Sequence, residues 1–552
     1  MKNITCTVTV IFIICFMYKL SFSQTPNWDW AKSATGTYRD EASSVVTDNL
    51  GNTYLTGYFL SSTITFESIT LTNASPGGSW DFFLAKYDSN GNILWAKSVG
   101  GLGFDVAHSL AIDSSGFIYV TGYFGSATLE FDSITITNKG WNDIFIAKYD
   151  SNGNAIWANS AGGIKNDIAN SVTVDNSGNI YLTGKYRSLV IYFDSDSLIN
   201  TNNYEEIFLA KYDSDGILIW AKSAGGTSND EASSVALDIN GNIYLAGMFK
   251  STSIYFDSDS LTNTNNKSDF FLVKYNSNGI LVWAKGGGGF DHDTATSVVV
   301  DIDGNIYLGG SFKSPIIFFN NDSLINAINE PYSTDIFLIK YNETGETIWS
   351  KRAGEYYDEN ITSLVLDNAE NIILSGNFES DQIIFNSDTL HNMGYNDIFI
   401  LNLDKNGNTN WVKGVGDTGS EYAHSVFADQ YDNAYLSGYF TSSTLNFDSS
   451  VVFNNVGSSL FVAKLFVGTI GISDLEKNSL INIFPNPSSD FITVNIPLNS
   501  DIEIVNINGQ VIRKFKNSQS QTKIDISSLT NGIYFIKVKV NSETIIRKII
   551  KQ

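Results

Sequence analysis

A tryptophan recurs seven times along this chain at intervals of 62 to 66 residues, each time opening a similar step: Trp30-Ala-Lys, Trp95-Ala-Lys, Trp157-Ala-Asn, Trp220-Ala-Lys, Trp283-Ala-Lys, Trp349-Ser-Lys and Trp411-Val-Lys. A period of that length marks a supersecondary unit that buries its apolar face against copies of itself. Between the tryptophans, each unit carries short alternating stretches bounded by glycine, asparagine and aspartate. In the fourth unit they are Ser234–Asp238, Asn242–Gly247, Asp269–Tyr275 and Ile280–Lys285. Period-two alternation with such punctuation predicts strands and turns, and four strands per unit make one blade of a β-propeller.

The two ends of the array predict a closed ring. A lone tryptophan strand, Asn27–Lys32, precedes the first full unit, and the last unit stops at Leu460–Lys464 without one. Each end supplies what the other lacks, and closure removes the need for polar end caps. The expected fold is all-β: a seven-bladed β-propeller over residues 24–467, latched by its N-terminal strand.

The repeated pattern reads Asp-Ile-Phe-Leu-Ala-Lys-Tyr-Asp-x-x-Gly-Asn-x-x-x-Trp, then Gly-Gly, then Asp-x-Ala-x-Ser-Val-x-x-Asp-x-x-Gly-Asn-Ile-Tyr-Leu-x-Gly. Over roughly residues 27–466 it resembles the bacterial SBBP β-propeller repeat. That resemblance implies a binding scaffold without a defined activity.

Residues 1–23 read as a secretory signal peptide: Lys2, an apolar run from Ile4 to Tyr18, then Ser21-Phe22-Ser23 before Gln24. Both cysteines, Cys6 and Cys15, lie inside it, so the mature chain has no disulfide, thiol nucleophile or cysteine-bound metal. A formal charge of −24 disfavours nucleic acid and anionic membrane surfaces. After residue 24 no apolar run is long enough to span a membrane. A monomer is expected.

Seven aspartates, Asp48, Asp113, Asp175, Asp238, Asp301, Asp367 and Asp429, begin Asp-x-x-Gly or similar turns and read as turn caps. A second acidic set follows the Gly-Gly loops: Asp40, Asp105, Asp167, Asp230, Asp293, Glu359 and Glu421. Gathered near the channel mouth, this set would favour a cation such as calcium; structural hydrogen bonding is the competing explanation, and no other cofactor is expected. Gly57 and its counterparts are read as ending the second strand. His108 and His424 occupy equivalent positions and read as ordinary loop residues.

Two connections per unit, the Gly-Gly loop and a segment of about 20 residues such as Leu60–Ser79, lie on one side of the ring. Long connections on a rigid scaffold are where function usually sits. A recurring Ile-x-Phe-x-Ser-x-x-Leu pattern inside the longer one predicts additional short β structure. Near its end stand Trp80, Trp141, Tyr204, Tyr332 and Tyr395, aromatic residues outside the repeat and beside polar ones. Such rings suit a glycan or peptide ligand, or else fold back over the blade.

From Gly468 the repeat stops. A linker, 468–479, leads to residues 480–552, and from Asp474 onward the charge is +3. The motifs Asn482-Ile-Phe-Pro485-Asn486-Pro487, Val505-Asn-Ile-Asn-Gly509-Gln, Ile526-Ser-Ser-Leu529-Thr-Asn-Gly532-Ile-Tyr534 and Arg547-Lys548-Ile-Ile-Lys551 resemble the type A sorting domain of the type IX secretion system. The resemblance implies a small Ig-like β-sandwich, recognition by the outer-membrane translocon, cleavage by a sortase-like protease, and a secreted or surface-attached product. The sequence thus points to a non-catalytic binding or adhesion protein for glycan or protein. The alternatives are a propeller enzyme acting on extracellular polysaccharide and a purely structural surface protein.

Overall fold

The computed structural model describes residues 26–194, 196–328, 333–467, 482–484, 486–495, 501–506, 510–516, 521–540 and 543–552. The signal segment and the linker lie outside these residues. The described residues form strands and turns without a helix, and the chain divides into two compact units, 1–467 and 468–552.

Among its described residues the first unit holds seven large antiparallel sheets, five of four strands and two of six, in which a hairpin extends the four-stranded edge. In the first sheet the strands are Asp40–Thr47, Thr53–Phe59, Asp81–Tyr87 and Ile93–Val99, neighbours in space as in sequence. The two middle strands are buried almost throughout, while the outer strand is half-exposed. Sheets stacked on both faces explain the near-continuous apolar runs of the middle strands. The core therefore lies between sheets. Phe82 and Leu84 of the first sheet pack with Leu110, Val120 and Phe145 of the second, and the rings of Phe82 and Phe145 stack at 4.8 Å.

The last sheet is completed from the other end of the chain. Asn27–Ala34 pairs antiparallel with Ser459–Phe466, from Asn27 opposite Phe466 to Ala34 opposite Leu460. Trp28 and Trp30 are both buried there.

The first strands of all seven sheets line a central channel of 460 Å³. Around it runs a circle of serines that sequence reading did not assign. The Oγ of Ser44 accepts from Leu110 N at 3.1 Å, Ser109 from Val172 N, Ser171 from Val235 N, Ser234 from Val298 N and Ser297 from Leu364 N. Ser363 Oγ donates to Val426 O, and Ser425 accepts from Val45 N at 3.4 Å, which closes the circle.

Between the second and third strands of every sheet lies a short hairpin, Thr63–Phe66 with Ile69–Thr72 in the first. The Ile-x-Phe pattern buries Ile64 and Phe66. Each hairpin runs beside the outer strand of the preceding sheet; Ala161 and Gly162 pair with Phe193 and Tyr192. In four of the hairpins the acid at the tip meets the lysine of the preceding Trp-x-Lys step: Lys32–Glu67 2.6 Å, Lys97–Asp132 3.1 Å, Lys222–Asp257 3.2 Å, Lys413–Asp448 2.7 Å. Exposed pairs of this kind add little energy, so the apolar stem does most of the holding. Much of the segment expected to form a recognition face is therefore rim structure.

Gly57 corrects a second expectation. It lies inside its strand, opposite a bulge in the first strand between Ala42 and Ser44. A Cβ there would stand 1.9 Å from the Glu41 carbonyl oxygen.

In the second unit, Asn482–Phe484, Phe491–Asn495 and Gln521–Asp525 form one sheet. Val511–Lys516, Asp501–Asn506, Gly532–Val540 and Glu543–Lys551 form another. Ile492, Val494, Ile502, Ile504, Ile536, Val538 and Ile549 share one core.

Candidate binding face

The turn aspartates cap their turns. Asp48 Oδ1 accepts from Leu50 N and Asn52 N, both at 2.9 Å, and Oδ2 accepts from Asn52 Nδ2 at 2.8 Å. Five of these turns place glycine at φ 75 to 83°, and the two that lack it hold Glu370 and Asp432 at 61° and 65°. This face of the ring offers backbone-saturated turns.

The second acidic set does not assemble as a cation ring. Each of its carboxyls is buried and turned into its own sheet. Ser61, Ser126, Ser188, Ser251, Ser314 and Ser442 donate their hydroxyls at 2.5 to 2.7 Å to Asp40, Asp105, Asp167, Asp230, Asp293 and Glu421. In the sixth sheet, Ser380 N donates to Glu359 at 3.3 Å. Among the described residues no three His, Cys, Asp or Glu side chains come together to hold a metal ion. Local donors satisfy each carboxylate before the ring can bring them together.

A further acid opens the third strand of six sheets: Asp81, Asp143, Glu206, Asp269, Asp335 and Asp397. Each meets the inner acid of the next sheet electrostatically, as Asp81 does Asp105 and Asp143 does Asp167. At the latch junction Ser459 stands in this place. Burial first, and the neighbouring acid after it, lift Asp143, Glu206, Asp269 and Asp397 to about 7. Burial likewise lifts Asp40, Asp105, Asp167, Asp230 and Asp293 to about 6 and Glu359 to about 8, against the opposing pull of the serine donors. The Gly-Gly step makes room for both sets. A Cβ on Gly162 would lie 2.0 Å from the Asp143 carboxyl carbon, and one on Gly163 2.6 Å from Ser188 Cβ.

The opposite, upper mouth of the channel is where the sevenfold pattern breaks. The residue after the second-strand glycine is Tyr58, Tyr123 and Tyr439 in sheets one, two and seven, but Lys185, Met248, Ser311 and Asn377 elsewhere. Tyr58 donates to Glu41, which also pairs with Arg39. Tyr422 stacks on Tyr439 at 4.9 Å, and the Arg39 guanidinium lies 6.0 Å from the Tyr439 ring.

His108 and His424 are strand-bulge residues rather than loop residues. Their Nδ1 atoms lie 3.0 Å from the carbonyls of Ala169 and Ala42 in the next sheet, and their rings edge onto Tyr123 and Tyr439. Burial lowers both pKa values, so both are neutral at pH 7.

The loop aromatics separate into two groups. Trp80 is half-buried between Tyr58 and Phe104, 5.1 Å from each, with no hydrogen-bond partner for its indole N–H. Trp141, Tyr204 and Tyr395 stand 65%, 48% and 78% exposed. Tyr332 lies outside the described residues.

In the second unit, Asn486 ties down the terminal strand: its Nδ2 donates to Lys548 O and its Oδ1 accepts from Ile550 N, each at 2.8 Å. Pro487 follows it. Lys548 is exposed, and Lys551 Nζ donates to Gln552 O at 2.7 Å. Gly532 opens a strand of the larger sheet, and the Tyr534 hydroxyl bonds Thr530 O at 3.0 Å. Pro485 and Gly509 lie outside the described residues. Asn486→Ala loses two bonds worth together about 2 kcal/mol and is expected to lower the extracellular yield, read by comparing culture fluid with cells. Unchanged export would show the clamp to be dispensable.

Residues 482–552 match the profile of a secretion system C-terminal sorting domain, and residues 94–123 and 219–248 match that of a β-propeller repeat, SBBP. The chain carries SBBP β-propeller repeats and a secretion sorting tail. The tail places the protein at the cell surface or outside it, by way of the type IX machinery. The chain is similar to a WD repeat-containing protein of Acanthamoeba polyphaga mimivirus, 27% identical over 508 residues, 76% of this chain and 36% of the other. It is 23% identical over 289 residues to the regulatory protein FlaEY of Caulobacter vibrioides, covering 49% of this chain and 29% of the other. The chain thus spans about a third of the length of these relatives. Among solved structures, the Neurospora crassa Pan2 WD40 domain aligns with 66% of this chain and 90% of its own at 10% identity and a TM-score of 0.31.

Proposed function

We propose that the protein is an extracellular, non-catalytic binding module: a seven-bladed propeller that engages a glycan or protein through its upper face, carried out of the cell by an Ig-like sorting sandwich. One observation supports the reading above others. Aromatic residues that depart from the repeat collect on the upper face, with Tyr58, Tyr123, Tyr422 and Tyr439 at the mouth and Trp141, Tyr204 and Tyr395 exposed around it. Large amphipathic rings on a rigid scaffold supply contact area at low entropic cost. The sorting tail further implies contact with the translocon and a sortase-like protease.

The test is a binding screen of the secreted chain against polysaccharides and surface glycoproteins, each with calcium and with chelator. The double variant Trp141→Ala/Tyr395→Ala is expected to weaken binding at least tenfold at unchanged Tm, because both side chains are exposed. Chelator should change nothing, since serines and backbone N–H groups already satisfy the acidic set. Equal affinity of the double variant would remove the exposed rings from the site.

A further inference from the structure

We infer that the junction between the fourth and fifth sheets holds a pocket for one neutral sugar unit of a glycan, an inference that rests on reading the propeller as a binding module. A cavity of 430 Å³ opens there, lined among others by Thr264, Asn265, Asp269, Phe290, Pro315 and Phe318. It falls within the range of about 300–1,000 Å³ typical of small-ligand sites. Its walls come from two connections of the fourth sheet and from the rim hairpin of the fifth.

Three features furnish this cavity for a ligand. In sheets one, two, five and six the third-strand acid receives a loop N–H: Ala74 to Asp81, Lys139 to Asp143, Ala327 to Asp335, Met393 to Asp397, at 2.7 to 2.9 Å. Asp269 receives none from that loop, only the backbone N–H of Gly289 beside it, and its Oδ1, like those of Asp81, Asp143, Asp335 and Asp397, is buried without a hydrogen-bond partner. A buried acceptor in that state is costly unless something donates to it.

Next, Phe290 and Phe318 expose 77% and 61% of their surface beside the cavity. The equivalent hairpin position is an exposed tyrosine in the third and fourth sheets, Tyr192 and Tyr255, and Thr65 in the first. Finally, Asn265 donates its amide to the Gly289 carbonyl, as Asn202 does to Gly226 one junction earlier, which fixes its side chain at the wall, and Thr264 Oγ1 lies 3.4 Å from Asn265 Oδ1.

A pyranose ring matches this set. Its C–H face lies on a phenyl ring, while its hydroxyls donate to a carboxylate and exchange bonds with a threonine and an amide. Burial holds Asp269 at about 7, so near neutrality it both accepts and donates. The acid disfavours a uronate or sulfate in the same place.

The experiment uses the full chain with β-glucan, xylan, mannan and galactan, and then di- and trisaccharides of whichever binds, measured by calorimetry at pH 7. A short oligosaccharide spans the pocket alone. Phe318→Thr, a residue the same position already carries in the first sheet, and Asp269→Asn are each expected to weaken it at least tenfold with Tm retained. Trp141→Ala/Tyr395→Ala should leave short-oligosaccharide affinity unchanged. The reverse pattern would overturn the pocket and keep the upper-face reading. Binding of glycoprotein but of none of the four polysaccharides would also overturn the pocket alone.

Discussion

Deleting residues 26–34 is expected to abolish the single cooperative thermal transition of the propeller. That strand contributes Trp28 and Trp30 to two different cores, in the last sheet and at its junction with the first. Trp28 packs its ring edge-on against Phe447 at 4.9 Å, and its backbone N–H donates to Asp448 Oδ2. The indole of Trp30 donates to Ser89 O in the first sheet at 3.2 Å. Losing one buried aromatic costs about 3–5 kcal/mol, and the deletion removes two while baring the edge of Ser459–Phe466. Trp28→Ala/Trp30→Ala is accordingly expected to lower Tm by on the order of 10 °C. Calorimetry and near-UV circular dichroism would read both, and adding the missing strand as a peptide should restore part of the signal. An unchanged Tm would mean that the open array is stable without its latch.

The second large effect concerns pH. Burial raises all the inner and third-strand acids above the unfolded value of about 4, Glu421 among them and the others to about 6 to 8. A carboxyl raised in this way binds its proton more tightly in the native state. From pH 4 to 7 folding therefore takes up protons, and stability falls as pH rises through that window.

Three histidines oppose this, because burial lowers His108, His292 and His424 and makes their protonation unfavourable to folding below pH 6.5. The carboxyls outnumber them, and each tenfold gain in proton affinity is worth roughly 1 kcal/mol. Below pH 4 the depressed Asp88, Asp132, Asp150 and Asp404 lose their stabilising charge. Tm is thus expected to peak near pH 5 and to be several degrees lower at pH 8. A maximum at pH 7 or above would contradict the pairing. Asp143→Asn should flatten the slope by removing one junction's share.

Much of this architecture is legible in the sequence because the repeat samples each physical constraint seven times. The Trp-x-Lys step, the Asp-x-x-Gly turn and the Ile-x-Phe stretch keep their spacing, and each maps to one structural place. What stays hidden is pairing across sheet boundaries. Nothing in Asp40 alone says that Ser61 claims it, because the two meet only when strands 21 residues apart fold together. The serine circle and the junction acids are hidden for the same reason. The mouth is hidden for a different one. Attention to what repeats passes over Tyr58, Tyr123 and Tyr439, whose meaning lies in departing from the repeat. Aligning the residue after each second-strand glycine would have exposed them.

The latch joins positions 420 residues apart in the chain. No prefix of the propeller can close, since the partner of the first strand is among the last segments to be made before the sorting tail. A prematurely terminated product keeps an unpaired sheet edge and two bare tryptophans, and it also lacks the tail that directs export. Closure and address are both withheld until the last sheet and the tail have been made, so the order of segments along the chain ties export to a finished ring.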